Sequence, residues 1–311
     1  MTIQQIRYAL TIADTGSFNR ASEILYVSQP SLTNAIQELE RELGVTIFHR
    51  SGRGVTVTND GVEFLALARQ VYGQFSLLAE KYGKGGGVKK KFGISTQHYS
   101  FAVKSFVELA KQVNLAEYEF ALRETKTREV IEDVRTGRSE IGVLYLSDFN
   151  RKAIEKLLRS GDMEFHALID CDAFVYMWRG HPLAAEESVC LEQLQDYPCM
   201  MFEQGDTASF YFAEEILSTN AYRRTIRVND RATMLNLMVG LLGYTLCSGI
   251  ICAELNGSDY VAVPFREPDG ASGDRMTIGY IVKKNMLLSD LCTRYIIALK
   301  QYLDIETEDK R

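Results

Sequence analysis

The chain has 311 residues, of which 46% are hydrophobic and 24% charged, an ordinary composition for a globular protein of two or three domains. No apolar run reaches the roughly 18 residues of a membrane span, and the first ten residues lack the basic start and apolar core of a secretory signal. The net charge of −6 is uneven, because residues 1–90 hold ten lysines or arginines against eight acidic residues and the remainder holds 25 against 33. We therefore expect a cytoplasmic protein with no membrane partner, and the acidic balance does not exclude nucleic-acid binding.

The first elements are predicted to be three helices. Apolar residues three and four apart indicate a helix across residues 3–13. Ser17 is a natural N-cap for a second helix over residues 18–25, and Ser28 for a third. Pro30 falls in the first turn of that third helix, where its missing N–H costs nothing.

The third predicted helix has one apolar face and one face of short polar side chains. Its apolar arc consists of Leu32, Ala35, Ile36 and Leu39. Its opposite arc consists of Gln29, Thr33, Asn34, Gln37 and Arg41. Glutamine and asparagine amides can bond adenine in bidentate fashion and threonine offers a hydroxyl and a methyl, so this face suits base edges in a DNA major groove. A plain amphipathic helix with a solvated polar face has the same spacing.

Two short strands are predicted next, around the turn Gly52-Arg53-Gly54. They form a wing with Arg53 at its tip. Beside a helix-turn-helix, an arginine in this position is well placed to enter a minor groove, where negative potential is concentrated. An exposed charge with no partner is the plainer interpretation.

A longer helix is predicted from about residue 58 to residue 82. It carries a seam that alternates steps of three and four: Leu65, Ala68, Tyr72, Phe75, Ala79 and Tyr82. This regularity over about three heptads favours a dimerisation helix, followed by a flexible hinge in the glycine-rich residues 83–87. A helix packed on its own domain is the alternative.

The stretch "SFNRASEILYVSQPSLTNAIQELERELGVTIFHRSGRGVTVTNDG" closely resembles the DNA-binding domain of LysR-type transcriptional regulators, and the match covers nearly all of residues 3–61. The resemblance implies a winged helix-turn-helix at 1–58, followed by a linker helix and hinge at 59–87. It also implies double-stranded DNA as a partner, assembly as a homodimer or homotetramer, and contact with RNA polymerase. The expected DNA contacts are Ser28, Gln29, Pro30, Ser31, Thr33, Asn34, Gln37, Arg50 and Arg53.

Beyond residue 88, apolar strands alternate with helical patterns, which predicts an α/β fold with parallel strands. The predicted strands lie near residues 92–94, 118–125, 140–146, 173–178, 198–203, 226–230, 244–249 and 275–285. The predicted helices follow His98 and cover residues 127–137, 207–220, 231–243 and 288–303. The resemblance implies an effector domain at 88–311 like a periplasmic binding protein. Its first subdomain would cover about 88–147 and 265–302, its second about 148–264, with the inducer between them.

Ligands of α/β sheets bind at the carboxyl ends of strands, against helix N-termini. Ser95, Thr96, Gln97 and His98 lie at such an end and would stabilise a small anion. Simple N-capping by Ser95 or Thr96 is equally consistent with the local sequence.

The resemblance adds three further segments to this cleft. They are a crossover near residues 145–149, the loop of residues 202–209 with Phe202 and Gln204, and Thr245 with its neighbours. Each is also consistent with an ordinary loop or strand end. Acidic residues in the loop could receive an amine, so the expected effector is anionic or zwitterionic.

The remaining chemistry-bearing residues give no catalytic or metal-binding pattern. The four histidines are far apart, and the six cysteines form no CxxC pair and are expected to be small buried hydrophobes. Peroxide-sensing LysR-type proteins carry a reactive cysteine in the loop matching 202–209, and this loop has none, so we interpret the nine-residue spacing of Cys190 and Cys199 as coincidental. No GxSxG, P-loop or GxGxxG motif supports an enzyme, and the winged helix argues against a binding module without DNA activity. We expect a metabolite-responsive transcriptional regulator with no cofactor.

Overall fold

The computed structural model describes residues 1–51, 54–82, 90–113, 118–205, 210–267 and 275–305. The chain divides into two compact units, one formed mainly by residues 1–87 and the other mainly by residues 88–311. Within the described part of the chain, no helix is both long and apolar enough to cross a membrane.

The N-terminal unit combines helices with a two-stranded hairpin. Its elements are α1 (Ile3–Thr15), α2 (Phe18–Leu25), α3 (Gln29–Leu43), β1 (Phe48–Ser51), β2 (Gly54–Val57) and α4 (Asn59–Tyr82). Thr2, Ser17 and Ser28 each accept a hydrogen bond from the backbone N–H three residues later, which satisfies a donor at the start of α1, α2 and α3. The predicted N-caps Ser17 and Ser28 are thus confirmed.

The core of this unit lies between the first three helices and the start of α4. Its fully buried side chains include Ile12, Leu32, Ile36, Leu39 and Ile47. The hairpin pairs β1 with β2 antiparallel, as the predicted wing requires. Gly61, near the start of α4, packs directly against the backbone that leads into the hairpin. A side chain there would clash, because a Cβ would lie 2.3 Å from the Ile47 carbonyl oxygen. The predicted wing tip, Arg53, lies outside the described residues, and so does the predicted hinge at 83–87.

The predicted dimerisation seam of α4 is wrong in its first part, at Leu65 and Ala68. Leu65 and Ala68 are each only 3% exposed and belong to the core of the N-terminal unit, and Tyr72 packs against that core. Phe75 and Ala79 are exposed. The heptad spacing is real, but its first half faces the chain's own domain, because helix-to-core packing and helix-to-helix packing use the same spacing of apolar residues.

A second apolar stripe of α4 is exposed, and it shares Phe75 with the predicted seam. Its members are Leu67, Val71, Phe75 and Leu78. They recur at steps of four, four and three and therefore share one helix face, about a quarter turn away from the buried face. We call these four residues the exposed stripe of α4.

The C-terminal unit alternates strands and helices, as predicted. Its strands are β3 (Lys90–Thr96), β4 (Tyr118–Glu124), β5 (Ile141–Leu146), β6 (Met163–Cys171), β7 (Phe174–Trp178), β8 (Cys199–Phe202), β9 (Thr225–Val228), β10 (Tyr244–Cys247), β11 (Tyr260–Pro264) and β12 (Met276–Lys283). Its helices are α5 (Ser100–Gln112), α6 (Thr127–Arg135), α7 (Arg151–Ser160), α8 (Leu191–Leu194), α9 (Arg231–Leu241), α10 (Ala253–Asn256) and α11 (Asp290–Tyr302).

The strands form two five-stranded sheets, one in each subdomain. The first has the order β4-β3-β5-β12-β6 and the second the order β11-β7-β10-β8-β9. In the first sheet β3 runs parallel to β4 and β5, and in the second β8 runs parallel to β9 and β10. β12 and β7 are antiparallel to their neighbours. The parallel strands bring the ends of β3, β4 and β5 to one edge of the first sheet.

The crossovers between the two sheets differ from the predicted ones. The chain leaves the first sheet after β6 through Asp172 and Ala173, and it returns between β11 and β12. The crossover predicted near residues 145–149 is wrong, because β5 is followed by α7 and β6, and β6 pairs with β12 along its whole length. The second sheet therefore begins at Phe174, whereas the predicted second subdomain began at 148.

The helix predicted over residues 207–220 is also wrong. In the described part of this segment the regular structure is a 3-10 turn at Phe210–Phe212, and bends and turns follow it. The Tyr145 hydroxyl, from the first sheet, donates to the carbonyl oxygens of Ala213 and Glu215 at 3.1 and 3.2 Å. These backbone carbonyls serve a contact between subdomains in place of helix hydrogen bonds, and Phe210 and Tyr211, two of the apolar residues that suggested a helix, are exposed.

Candidate functional site

The polar face of α3 is exposed, as the sequence predicts. Leu32, Ile36 and Leu39 are fully buried on the opposite face. The exposed residues of α3 and its cap include Ser28, Gln29, Pro30, Ser31, Asn34 and Gln37, and Thr33 is half-buried. No acidic side chain lies in the first turn, which leaves the positive end of the helix available to a phosphate.

The hairpin supplies one more predicted DNA contact. Arg50 lies in β1 opposite Val55 of β2, and its side chain is outside the described set. One exposed residue was missed by sequence reasoning. Tyr26 ends α2 in a left-handed conformation and is 95% exposed directly before α3. An aromatic residue inside the short joint between the two helices is the signal that could have found it.

In the C-terminal unit, two of the predicted effector residues are occupied by structural hydrogen bonds. The Ser95 hydroxyl is 2.6 Å from an Asp133 carboxylate oxygen and 2.8 Å from the Ser139 hydroxyl. Gln97 is fully buried, and its amide oxygen accepts from the backbone N–H of Tyr145 at 3.1 Å. Neither Ser95 nor Thr96 caps α5, which begins at Ser100.

His98 makes the central contact between the two subdomains. Its backbone N–H donates to Glu214 Oε2 at 2.9 Å, and its Nδ1 lies 2.9 Å from the same oxygen. The imidazole stacks on the Phe202 ring at 3.7 Å between centroids, with 6° between the planes. The predicted residues His98 and Phe202 therefore meet, and Glu214 joins them from the segment that was predicted to be helical.

Gln204 and Thr245, the other two predicted effector residues, occupy different places. The Gln204 amide donates to Glu214 Oε1 at 2.9 Å and accepts from the Thr127 backbone N–H at 3.1 Å, so it bridges the two subdomains. Thr245 is buried in β10 opposite Tyr176, beside a separate apolar cluster of the second sheet. The structure brings Gln204 to the cleft contacts, and no contact of Thr245 with His98, Gln204 or Glu214 is described.

Two buried polar atoms at this meeting point have no hydrogen-bond partner among the described residues. They are the hydroxyl oxygen of Thr96, which is fully buried, and Oε2 of Glu215, which is 2% exposed. Thr96 pairs with Val143 in the first sheet, on the same strand face as Tyr145, whose hydroxyl reaches the Glu215 backbone. Buried polar groups without partners are uncommon, and a ligand is one physical reason for them.

The electrostatics of the cleft are dominated by carboxylates. Burial, and then the neighbouring Glu214, raise the pKa of Glu215 to about 8, so this carboxyl is largely protonated at neutral pH. Burial also raises the pKa of Glu124, which forms an ion pair across the subdomains with Arg231. Among the described residues, no group of three His, Cys, Asp or Glu side chains is arranged to hold a metal ion.

Comparison with known proteins places both units in one family. Residues 3–62 match the family described as "Bacterial regulatory helix-turn-helix protein, lysR family", and residues 99–304 match "LysR substrate binding domain". This chain belongs to the LysR family. It is a DNA-binding transcriptional regulator with a domain of the kind that binds small-molecule effectors.

The LysR-type regulator resembles other members of the family along almost all of the given sequence. It is 24% identical to "Uncharacterized HTH-type transcriptional regulator YbhD" of Escherichia coli strain K12, over 99% of this chain and 93% of that protein. It is also 24% identical to "DNA-binding transcriptional dual regulator OxyR" of the same strain, over 95% of this chain and 92% of that protein. A full-length OxyR variant from Pseudomonas aeruginosa matches with a TM-score of 0.66 at 20% identity, over 100% and 99% of the two chains, which shows the shared fold.

Cys199 of this LysR-type regulator is not placed as a reactive thiol. All six are free, and four of them are buried. Cys199 is fully buried in β8, and burial holds its pKa well above the usual range. A thiol that stays protonated and out of solvent is a poor nucleophile. The likeness to OxyR therefore gives no support to peroxide sensing through Cys199.

Proposed function

We propose that this LysR-type regulator binds promoter DNA as a homodimer or homotetramer in the cytoplasm. A small acidic or zwitterionic metabolite enters the cleft between the two sheets and alters DNA contacts or the approach of RNA polymerase. The observation that supports this is the meeting of polar side chains from both subdomains at the ends of β3 and β5. There the Thr96 hydroxyl and Glu215 Oε2 are buried without partners among the described residues. Cleft binding that favours one arrangement of the subdomains shifts the population of that arrangement.

DNA reading is assigned to α3 and the hairpin. The proposal places Thr33, Asn34 and Gln29 against base edges and Arg53 in the adjacent minor groove. Ser28, Pro30, Ser31, Gln37 and Arg50 complete the proposed contact surface. The exposure of the α3 polar face supports this arrangement, since a helix docked in the major groove contacts bases with the early residues of its exposed side.

Assembly is assigned to the exposed stripe of α4. Four large apolar side chains in one row are unusual on a solvated helix, and pairing two such rows removes them from water. A twofold pair of reading heads then matches a pseudo-palindromic site.

The test of the proposed function has two steps on the full chain. A gel shift with the DNA beside its own gene should show a specific complex, and a thermal-shift screen of metabolites should find a compound that raises the unfolding midpoint. The Thr96→Val variant should keep the DNA complex and lose most of the response to that compound. Ser95→Ala, whose hydroxyl is bonded to Asp133, should lower stability and keep the response. Equal ligand affinity in wild type and Thr96→Val would contradict the proposed site.

A further inference from the structure

The carboxylate of Glu214 has hydrogen-bond contacts at both oxygens, at the position where the sequence predicts an effector anion. One oxygen receives the backbone N–H of His98 and lies at 2.9 Å from its Nδ1, and the other receives the Gln204 amide at 2.9 Å. The His98 donors sit at the turn between β3 and α5. Charge-assisted hydrogen bonds of this kind are the usual means of holding a ligand carboxylate.

The Glu214 carboxylate is also enclosed like a bound ligand. The side chains of His98 and Glu214 are 7% and 5% exposed, and the Phe202 ring covers the imidazole. His98 belongs to the first subdomain and Glu214 to the second, so the contact spans the cleft that the proposed function assigns to the effector.

We propose that Glu214 is an internal ligand of the effector site: its carboxylate occupies the place of an effector carboxylate, and an acidic effector binds by displacing it from His98 and Gln204. This inference rests on the proposed function, since it takes the cleft as the site of effector binding.

The charges around the cleft favour displacement over simple addition. Glu124 and Asp230 both lie close enough to His98 to interact with it electrostatically, and Glu214 touches it. Adding an effector anion beside Glu214 would place two carboxylates together in a site shielded from water, where like charges repel strongly. Exchanging one carboxylate for another leaves the local charge unchanged.

The Thr96 hydroxyl and the Glu215 carboxyl, which have no partner among the described residues, indicate a second polar group on the effector. Thr96 has a hydroxyl to donate, and the protonated carboxyl of Glu215 has an O–H. Both can donate to an acceptor that Glu214 does not supply. A carboxylic acid with a second oxygen, such as a hydroxy or keto acid, carries acceptors for both sets of donors. An effector of this class would also break the contact between His98 and Glu214 and so loosen the link between the subdomains.

The test removes the Glu214 carboxylate by substitution and asks whether free acetate, used as the probe, binds in its place. In the full-length chain, Glu214→Ala removes the internal carboxylate, and sodium acetate should raise the unfolding midpoint of this variant by at least ~2 °C over sodium chloride at equal ionic strength. Wild type should show no acetate-specific rise, because its site is filled. Glu203→Ala removes a nearby carboxylate for which no contact with His98 is described, and it should behave as wild type.

Two results would overturn the inference. One is an acetate-specific rise of equal size in wild type, and the other is no rise in a folded Glu214→Ala chain. If Glu214→Ala does not fold, Glu214→Gln replaces it: the neutral amide should be displaced by acetate more readily than the native carboxylate, and a response no larger than that of wild type would also overturn the inference. Promoter binding and the metabolite screen are measured separately, so failure here leaves the proposed function to its own test.

Discussion

At Glu215, a side-chain arrangement that suits ligand binding lowers the stability of the folded chain. Its carboxyl is buried at the edge of the cleft, with Oε1 accepting from the Phe202 backbone N–H at 2.7 Å and Oε2 unpartnered among the described residues. Leaving a buried polar atom unpaired costs roughly 1–3 kcal/mol. That cost is offset when a ligand supplies the missing partner, as expected at a binding site.

The first prediction concerns the pH dependence of stability at Glu215. Folding raises the pKa of this carboxyl from 4.5 to about 8, so the folded chain keeps a proton that the unfolded chain loses. Stability is therefore lost as pH rises through this window, by up to about 1.4 kcal/mol per pH unit, and levels off above it. Glu215→Gln removes this loss, so urea unfolding should show its stability relative to wild type increasing from pH 5 to pH 8. Parallel pH profiles for the two chains would contradict the prediction.

The second prediction concerns base reading by α3. Thr33→Ala and Asn34→Ala should each weaken operator binding by about 1–3 kcal/mol and relax preference at one base position, because each removes a contact to a base edge. Thr11→Ala on α1 makes the same chemical change outside the polar face and serves as control. Fluorescence anisotropy on the operator and on single-base variants measures both effects. Unchanged affinity and preference in both α3 variants would show that other residues read the bases.

Helix α4 shows what the spacing of apolar residues can and cannot predict. The spacing predicted a helix over residues 58–82, and Asn59–Tyr82 is observed. It did not predict which face is buried, because two apolar stripes run along the same helix and only the tertiary packing of α1 decides between them. The segment after Phe210 is a second case: its apolar spacing predicted a helix, and the observed turns instead offer backbone carbonyl oxygens to Tyr145, which lies 68 residues before Ala213 in sequence.

The third prediction concerns the exposed stripe of α4. Val71→Asp places a charge in the proposed dimer contact and should shift the sedimentation profile towards monomer while the fold is retained. Val62→Asp makes the same change at a site that is also exposed, on the opposite side of the helix, and should leave the assembly intact. Leu65→Asp should instead unfold the N-terminal unit, since Leu65 is in its core. A dimer that survives Val71→Asp and dissociates with Val62→Asp would place the interface on the other face.

For the whole molecule, the two-unit organisation and eight of the ten strands described in the C-terminal unit followed from the sequence. The DNA-binding domain could be predicted from motifs within residues 3–61, because each of these motifs is a local feature: a helix cap, a turn or one face of a helix. The start of the second subdomain was predicted at the wrong place because β6 belongs to the first sheet, where it pairs with β12 more than 100 residues later. No local sequence pattern predicts that pairing. Glu214 was missed for the same reason. It lies 116 residues from His98, and the two meet only once both sheets have formed.

We expect the contacts in this cleft to control how the regulator engages DNA. DNase I footprinting of the DNA beside its own gene, with full-length chains and no added metabolite, measures this control. Glu214→Ala should change the length or the hypersensitive sites of the footprint relative to wild type, because the contact between His98 and Glu214 is lost, and Glu203→Ala should reproduce the wild-type pattern. A folded Glu214→Ala chain with the wild-type footprint and affinity would contradict this expectation.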